Sequence, residues 1–272
     1  MVQVMAGGVC GDVDVVVLDK DGTLTDLHIA WGERYASGVA AVVEAVRGNN
    51  ALKAAIYQTL AINAADGRFL QNCPVVSVKI ADKAIMVATV LRQSGIEWSR
   101  ANAIVAEHML PVLTAPSEPH QIHGIGNIKE RVRTWKSAGL HVAILTNDNR
   151  AGTLAELRLL GIGDVIDAIV SADDAGIAPK PAPDGLLHIA QTLGVAASRL
   201  AIVGDTATDM LAGRSAGVGL VIGVLSGLGT ADHLAPLADA VVPDIHAVSA
   251  PVRTGDRVQT PASRPSRTRR RS

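Results

Sequence analysis

Five short, largely apolar runs rich in β-branched residues constrain this chain more than any other feature: Val13–Leu18, "HVAIL" (141–145), "VIDAIV" (165–170), "LAIVG" (200–204) and "VGLVIG" (218–223). A strand with one wet face alternates apolar and polar residues, so runs apolar at nearly every position read as strands buried on both faces. Between them lie helical patterns: Ile128, Val132 and Trp135; Leu154 and Leu157; Leu186, Leu187 and Ala190. Strands alternating with helices imply a parallel sheet covered by helices on both sides.

The rhythm breaks once. About a hundred residues separate the first run from "HVAIL", and they carry helical spacing only: Val39, Val42, Val43 and Val46; Leu52, Ile56 and Leu60; Met86, Val90 and Leu91; then "SRANAIVAEHML". The expected organisation is a Rossmann-like α/β core whose first strand and loop occupy residues 1–26. A helical insertion over 27–124 follows, then the rest of the core over 125–250 and a tail over 251–272. "HGIG" (123–126) reads as the return hinge.

Nearly half of the 272 residues are apolar, but with one Phe, two Tyr and three Trp the core must be built from aliphatic side chains. No apolar run approaches the roughly 18 residues that span a bilayer, and the first residues lack the basic stretch of a secretory signal. A cytoplasmic enzyme is therefore expected. Cys10 and Cys73 stand far apart without Cys or His at metal-ligand spacing, so two reduced thiols are expected. The formal charge of −1 hides an asymmetry: the last twenty residues hold seven Arg against one Asp. That tail, rich in Ser, Thr and Pro, reads as disordered and solvated in preference to a nucleic-acid contact. Oligomeric state is not encoded in any pattern here.

In an open parallel sheet, ligands bind beyond the carboxyl ends of the strands, so the polar residues found there belong together. The first run ends in "DKDGTLTD" with Asp19 and Asp21, the second in "TND" from Thr146, and the fourth in "GDTATD" with Asp205 and Asp209. Lys180 stands in "GIAPKPAPD", ahead of a helix. An aspartate after a strand is by itself an ordinary turn residue or helix cap. Taken together, these pieces put several carboxylates, a hydroxyl and an ammonium around one crevice, which calls for a cation; oxygen ligands suit Mg²⁺ with a phosphate.

This combination resembles the haloacid dehalogenase superfamily: "DKDGT" matches its first motif, "TN" its second, "PKPAPD" its third and "GDTATD" its fourth. The resemblance spans about Val13 to Val242, and the helical insertion matches the cap of many members. It implies a Mg²⁺-dependent, phosphoglycolate phosphatase-like enzyme acting on a small phosphorylated metabolite. By the same resemblance, Asp19 is the nucleophile that becomes an aspartyl phosphate, and Asp21 is the acid and then the base. Asp19, Asp205 and the Asp21 carbonyl are implied as metal ligands, with Asp209 as an outer or direct partner. Thr146, Lys180 and backbone amides near Gly22 and Asn147 are implied as phosphate donors.

A sugar phosphomutase uses the same core and is the alternative. A receiver-type or phosphate-binding module is the non-enzyme alternative, disfavoured because its acceptor would not lie on the first strand before a large insertion. An EF-hand counted from Asp19 would need Gly and Glu where Leu24 and Ala30 stand. "GIGNIK" lacks the third glycine of a dinucleotide loop, and His120 with His123 lack further ligands. His28 and Trp31, just past the first motif, are candidates for substrate contact.

Overall fold

The computed structural model describes residues 1–71, 73 and 78–251. The Arg-rich tail expected to be disordered lies outside the described residues from 252 onward.

Six strands form one parallel sheet: β3 (Val15–Leu18), β4 (His141–Leu145), β5 (Ala168–Val170), β6 (Leu200–Gly204), β7 (Leu220–Val224) and β8 (Ala240–Val242), in the order β5-β4-β3-β6-β7-β8. The chain runs outward from β3 to β5, returns to the other side of β3, and runs outward again. Ladders such as Val15↔His141 and Val15↔Leu200 leave the carboxyl ends of β3, β4 and β6 level. The switch in direction beside β3 opens the crevice where such sheets bind ligands.

Why these runs are strands follows from where their alternate residues go. Val16, Leu18, Val142, Ile144, Ala201 and Val203 point into one core layer with Ile128, Val132 and Trp135 of α6 (Ile128–Ser137) and Leu157 of α7 (Arg150–Leu159). Val15, Val17, Ala143, Leu145, Leu200 and Ile202 point into the other, with Leu186 and Ile189 of α8 (Asp184–Leu193) and Met210 of α9 (Ala207–Ala216). Two buried faces require apolar side chains at every position.

Three details differ from the expected pattern. Residues 2–13 form a hairpin, β1 (Val2–Ala6) with β2 (Val9–Val13), joined through Gly7 and Gly8, both at positive φ. That turn geometry favours glycine at both central positions; Val2, Val4 and Ala6 cover the sheet edge near Leu220 and Ala240. The third run becomes a strand only at Ala168, because Val165 closes a turn onto Ile162 and the Asp167 carboxylate accepts from Val142 N. Just before the fifth run Gly217 is a left-handed helix cap, and the strand begins only at Leu220.

Between β3 and α6 lie the helices α1 (Leu27–Ala45), α2 (Asn50–Thr59), α3 (Ile80–Gln93), α4 (Trp98–His108) and α5 (Leu110–Thr114). They bury their own cluster, including Trp31, Tyr35, Val39, Ile56, Val87, Leu91 and Val105. Asp26 caps α1 by accepting from the His28 and Ile29 amides. The chain leaves and returns side by side: Asp26 N donates to His123 O and Ile125 N to Leu24 O. No described helix is long and apolar enough to cross a membrane.

Candidate active site

The loop after β3 places two carboxylates on one cavity wall with a tight reversal behind them. Gly22 has φ +88°, and a Cβ there would run into the Asp205 carboxylate, so only glycine lets the first loop meet the loop after β6. Gly22 N donates to Thr25 O and its carbonyl accepts from Ser226 Oγ at 2.7 Å.

Asp19, Asp205 and Asp209 are buried, with one carboxylate oxygen from each lying within 4.8 Å of the others. Lys180 reaches in from the loop before α8; its Nζ lies 2.5 Å from Asp19 Oδ1 and 2.5 Å from Asp209 Oδ1. Asn147 fixes that loop, since its side chain accepts from Lys180 N and donates to Lys180 O. Asp209 also closes a capping box on α9, accepting from Thr206 N and Oγ1. Asp205 Oδ2 accepts from Leu228 N at 2.9 Å. Thr146, buried at the end of β4, accepts from Asp148 N through its hydroxyl.

Burial is the largest influence on Asp19; with the neighbouring Asp209 and Asp21 charges it outweighs Lys180 and pushes the carboxyl up to about 6. Burial likewise raises Asp205 well above its ordinary value, helped by Asp19 and Asp209. Three clustered carboxylates held by one ammonium have a deficit of positive charge, and an all-oxygen donor set of this kind fits a hard divalent cation. Asp209, already engaged by Lys180 and Thr206, has the least capacity left for direct ligation.

The Asp21 carboxylate turns away from this cluster. It accepts from Lys20 Nζ at 2.8 Å and Thr25 Oγ1 at 3.2 Å, and the Trp31 side chain also donates to it. Burial would raise its pKa, but Lys20 and these hydrogen bonds hold it below the ordinary value. Lys20 is fully buried and also meets Glu156 Oε2 at 2.5 Å and Asp148 Oδ2 at 3.3 Å. Burial opposes its charge, yet Asp21, Asp148 and Glu156 raise its pKa well above the usual lysine value. Glu156 continues to Ser117, whose hydroxyl donates to it and accepts from Arg34 of α1 at 2.9 Å.

Asp19, Asp21, Thr146, Asn147, Lys180 and Asp205 all line one cavity of about 200 Å³, and its far wall comes from the helical segment: Trp31, Tyr35, Phe69, Lys79, Ile80 and Lys83. Gly22 and Asp209 stand behind that surface. His28 does not line the cavity; its Nδ1 accepts from Phe69 N, so it supports the wall. His120 pairs with Glu33 at the exterior. Cys10 is exposed, and Cys73 is buried with its thiol donating to Leu60 O.

Sequence reasoning passed over Lys20, Glu156 and Lys83. Each had a signal: Lys20 sits inside a buried loop, and Glu156 lies on the inward side of α7 beside Thr153 and Leu157. Lys83 shares its stripe with Val87, Val90 and Leu91.

Comparison with known proteins gives one consistent picture. A family model described as haloacid dehalogenase-like hydrolase matches residues 13–217. The chain is 29% identical over 234 residues, 85% of its length and 89% of the relative's, to the probable phosphatase IndB of Dickeya dadantii. It is 35% identical over 109 residues to a phosphoglycolate phosphatase of Neisseria meningitidis; that match covers 40% of this chain and under half, 45%, of the relative. Among solved structures, a predicted phosphoglycolate phosphatase from Haemophilus somnus superposes with TM-score 0.60 at 18% identity, covering 86% of this chain and 95% of the other. A family hydrolase from Deinococcus radiodurans superposes with TM-score 0.59 at 21% identity, covering 87% and 93%. At such identities these structures speak for the fold alone, but the family match extends over most of the chain and contains both aspartate motifs: the chain belongs to the haloacid dehalogenase-like hydrolases.

Proposed function

We propose that this chain is a Mg²⁺-dependent phosphatase that hydrolyses a small phosphate monoester through an aspartyl phosphate on Asp19. The observation that carries the reading is the division of labour between the two aspartates on one cavity. Asp19 lines the cavity and is held by Lys180 through its Oδ1, while Asp21 is held by Lys20, Thr25 and Trp31. The phosphatase relatives support the class of reaction.

An Asp19 oxygen attacks phosphorus as the ester P–O bond breaks, and Asp21, ionised before substrate binds, takes a proton from the incoming monoanionic ester and passes it to the departing oxygen. Asp21 then takes a proton from water, whose oxygen displaces Asp19 from phosphorus; inorganic phosphate leaves and both carboxylates are restored. Lys180 and Thr146 donate to the phosphoryl oxygens, with the Asn147 side chain holding Lys180 in reach. Asp19, Asp205 and the Asp21 carbonyl would hold Mg²⁺, with Asp209 behind them; the ion lowers repulsion between an anionic nucleophile and an anionic ester. The helical segment over 27–124 acts as a cap that shields the reaction from water, and the small cavity favours a metabolite over a phosphoprotein.

The test is hydrolysis of p-nitrophenyl phosphate by the purified chain with Mg²⁺, compared with Asp19→Asn. The variant should fold normally and lose essentially all turnover, because an amide is not a nucleophile toward phosphorus. Residual activity above about one part in a hundred would move the nucleophile elsewhere.

A further inference from the structure

Among the described residues three lysines are buried, and two of them are tightly paired. Lys180 bridges Asp19 and Asp209, and Lys20 sits among Asp21, Asp148 and Glu156. The third, Lys83, is 9% exposed, yet no carboxylate of a described residue lies within ion-pair distance and its ammonium makes no hydrogen bond to one. Its neighbour is the Trp31 ring, 5.3 Å from Nζ to the ring centroid, and that ring already carries Arg34 at 5.3 Å. A cation over an indole is attracted to it, but this recovers only a fraction of the hydration that a buried ammonium gives up. Burial accordingly lowers the pKa of Lys83, with only partial compensation from the Asp148 and Asp21 charges.

Lys83 lines the same cavity as Asp19 and Asp21, on the part that the helical segment supplies. Tyr35, on the same wall, has a buried hydroxyl with no hydrogen-bond partner among the described residues. Lys79, exposed at the start of α3, adds a second positive charge to the lining. A donor without a described partner and a cation without a described carboxylate, both on the part of the lining that the helical segment supplies, are complementary to an anion on the same short ligand as the phosphate. Trp31 and Phe69 supply apolar surface for the carbons between.

We infer that Lys83 and Tyr35 form a receptor for a second anionic group, so that the substrate is a short phosphate monoester bearing a carboxylate or a second phosphate, and not a neutral sugar phosphate. The inference rests on the phosphatase reading above and narrows its substrate class.

The experiment compares esters of matched length on the full chain: 2-phosphoglycolate, ethane-1,2-diol bisphosphate and the neutral 2-hydroxyethyl phosphate. One anionic ester should exceed the neutral one by at least about 30-fold in kcat/KM, mainly through KM, as expected for a buried charge pair. The carboxylate and phosphate arms identify which anion is taken. Lys83→Met, which keeps the stem against Trp31, should bring that ratio close to one, and Lys83→Arg should retain most of it. Binding is also read without turnover, by tryptophan fluorescence in the Asp19→Asn background; Lys83→Met should weaken the preferred anion by a similar factor. A parent chain that turns over the neutral ester as well as both anionic ones overturns the inference, as does a Lys83→Met ratio equal to the parent's. If p-nitrophenyl phosphate and every ester resist hydrolysis, the phosphatase reading fails instead. The fluorescence titration then decides the anion site alone: weaker binding in Lys83→Met upholds it, and equal binding removes it.

Discussion

Replacing Lys20 by Met should be among the most damaging single changes in the core, although Lys20 neither attacks phosphorus nor transfers a proton. The side chain is fully buried, and its ammonium lies 2.8 Å from Asp21, 3.3 Å from Asp148 and 2.5 Å from Glu156. Methionine fills nearly the same volume, so the packing loss is small; what changes is that three largely buried carboxylates lose their shared cation. Breaking a buried ion pair from one side costs about 3–5 kcal/mol. For a chain of this size that corresponds to a fall of about 6–20 °C in melting temperature.

The pH dependence has a definite sign. Without Lys20, burial leaves the Asp21 and Glu156 carboxylates with folded pKa values above their unfolded ones, so the folded state binds more protons and stability falls as pH rises. The deficit should therefore be larger at about pH 7.5 than at about pH 5. Urea unfolding followed by fluorescence of buried Trp135 measures it. Lys20→Met combined with Glu156→Leu should be less destabilised than the sum of the two single changes by at least about 1 kcal/mol, because the second removes a carboxylate that the first left unpaired. A loss below about 1 kcal/mol for Lys20→Met, or strict additivity of the pair, would show that solvent reaches this cluster and the ionic argument is wrong.

Gly22→Ala combines a left-handed backbone, at a cost of about 1–2 kcal/mol, with a methyl group driven into the Asp205 carboxylate; activity and melting temperature should both fall, and a fully active variant would contradict the geometry. Asp21→Asn should let an aspartyl phosphate accumulate from aryl phosphates, whose leaving group departs unaided, but not from alkyl phosphates; intact mass after rapid quench reports it, and no adduct from either would count against Asp21 as shared acid and base. The Arg199 hydrogen bonds, joined by the terminal amine, hold Asp14 down to about 2. This contribution is in place above the ordinary value of 3.8 and is lost as pH falls toward 2, so Arg199→Leu should flatten acid unfolding in that window.

The doubly buried sheet was readable because a strand covered on both sides has no tolerance for polar residues. The motif aspartates were readable because each follows such a strand. The N-terminal hairpin carried its own signals, alternating Val2, Val4 and Ala6 around Gly7-Gly8, but short amphipathic strands are weak beside continuous ones. Strand β8 is three residues long and gains its identity only by pairing with β7. At the site, Lys180 and Asp19 are 161 positions apart and Lys20 and Glu156 are 136 apart. The first pair was legible because each partner ends or precedes a recognisable element. The second was not, because a lysine within a loop and a glutamate within a helix look like ordinary surface residues until the fold buries both.

That buried pair also explains why Asp21 cannot be considered apart from the helical segment. Its carboxylate is positioned by Lys20 and Thr25 from the core and by Trp31 from α1. Lys20 is itself anchored on Glu156, and Glu156 accepts from Ser117, just before the chain returns to the core. Ser117 in turn accepts from Arg34, whose Nε faces Gln121 Oε1 at 3.4 Å. A continuous line of polar contacts thus runs from the Asp21 carboxylate to both chain crossings between core and insertion. In a low-dielectric interior each member of such a line is costly to leave unpaired. A displacement of the helices that parted Ser117 from Glu156, or Trp31 from Asp21, would therefore be felt at Asp21 itself. Asp19 has no such dependence: Lys180 and Asp209, which hold it, belong wholly to the core. Asp19 is positioned by the core alone, whereas Asp21 is fully positioned only when the helical segment is seated.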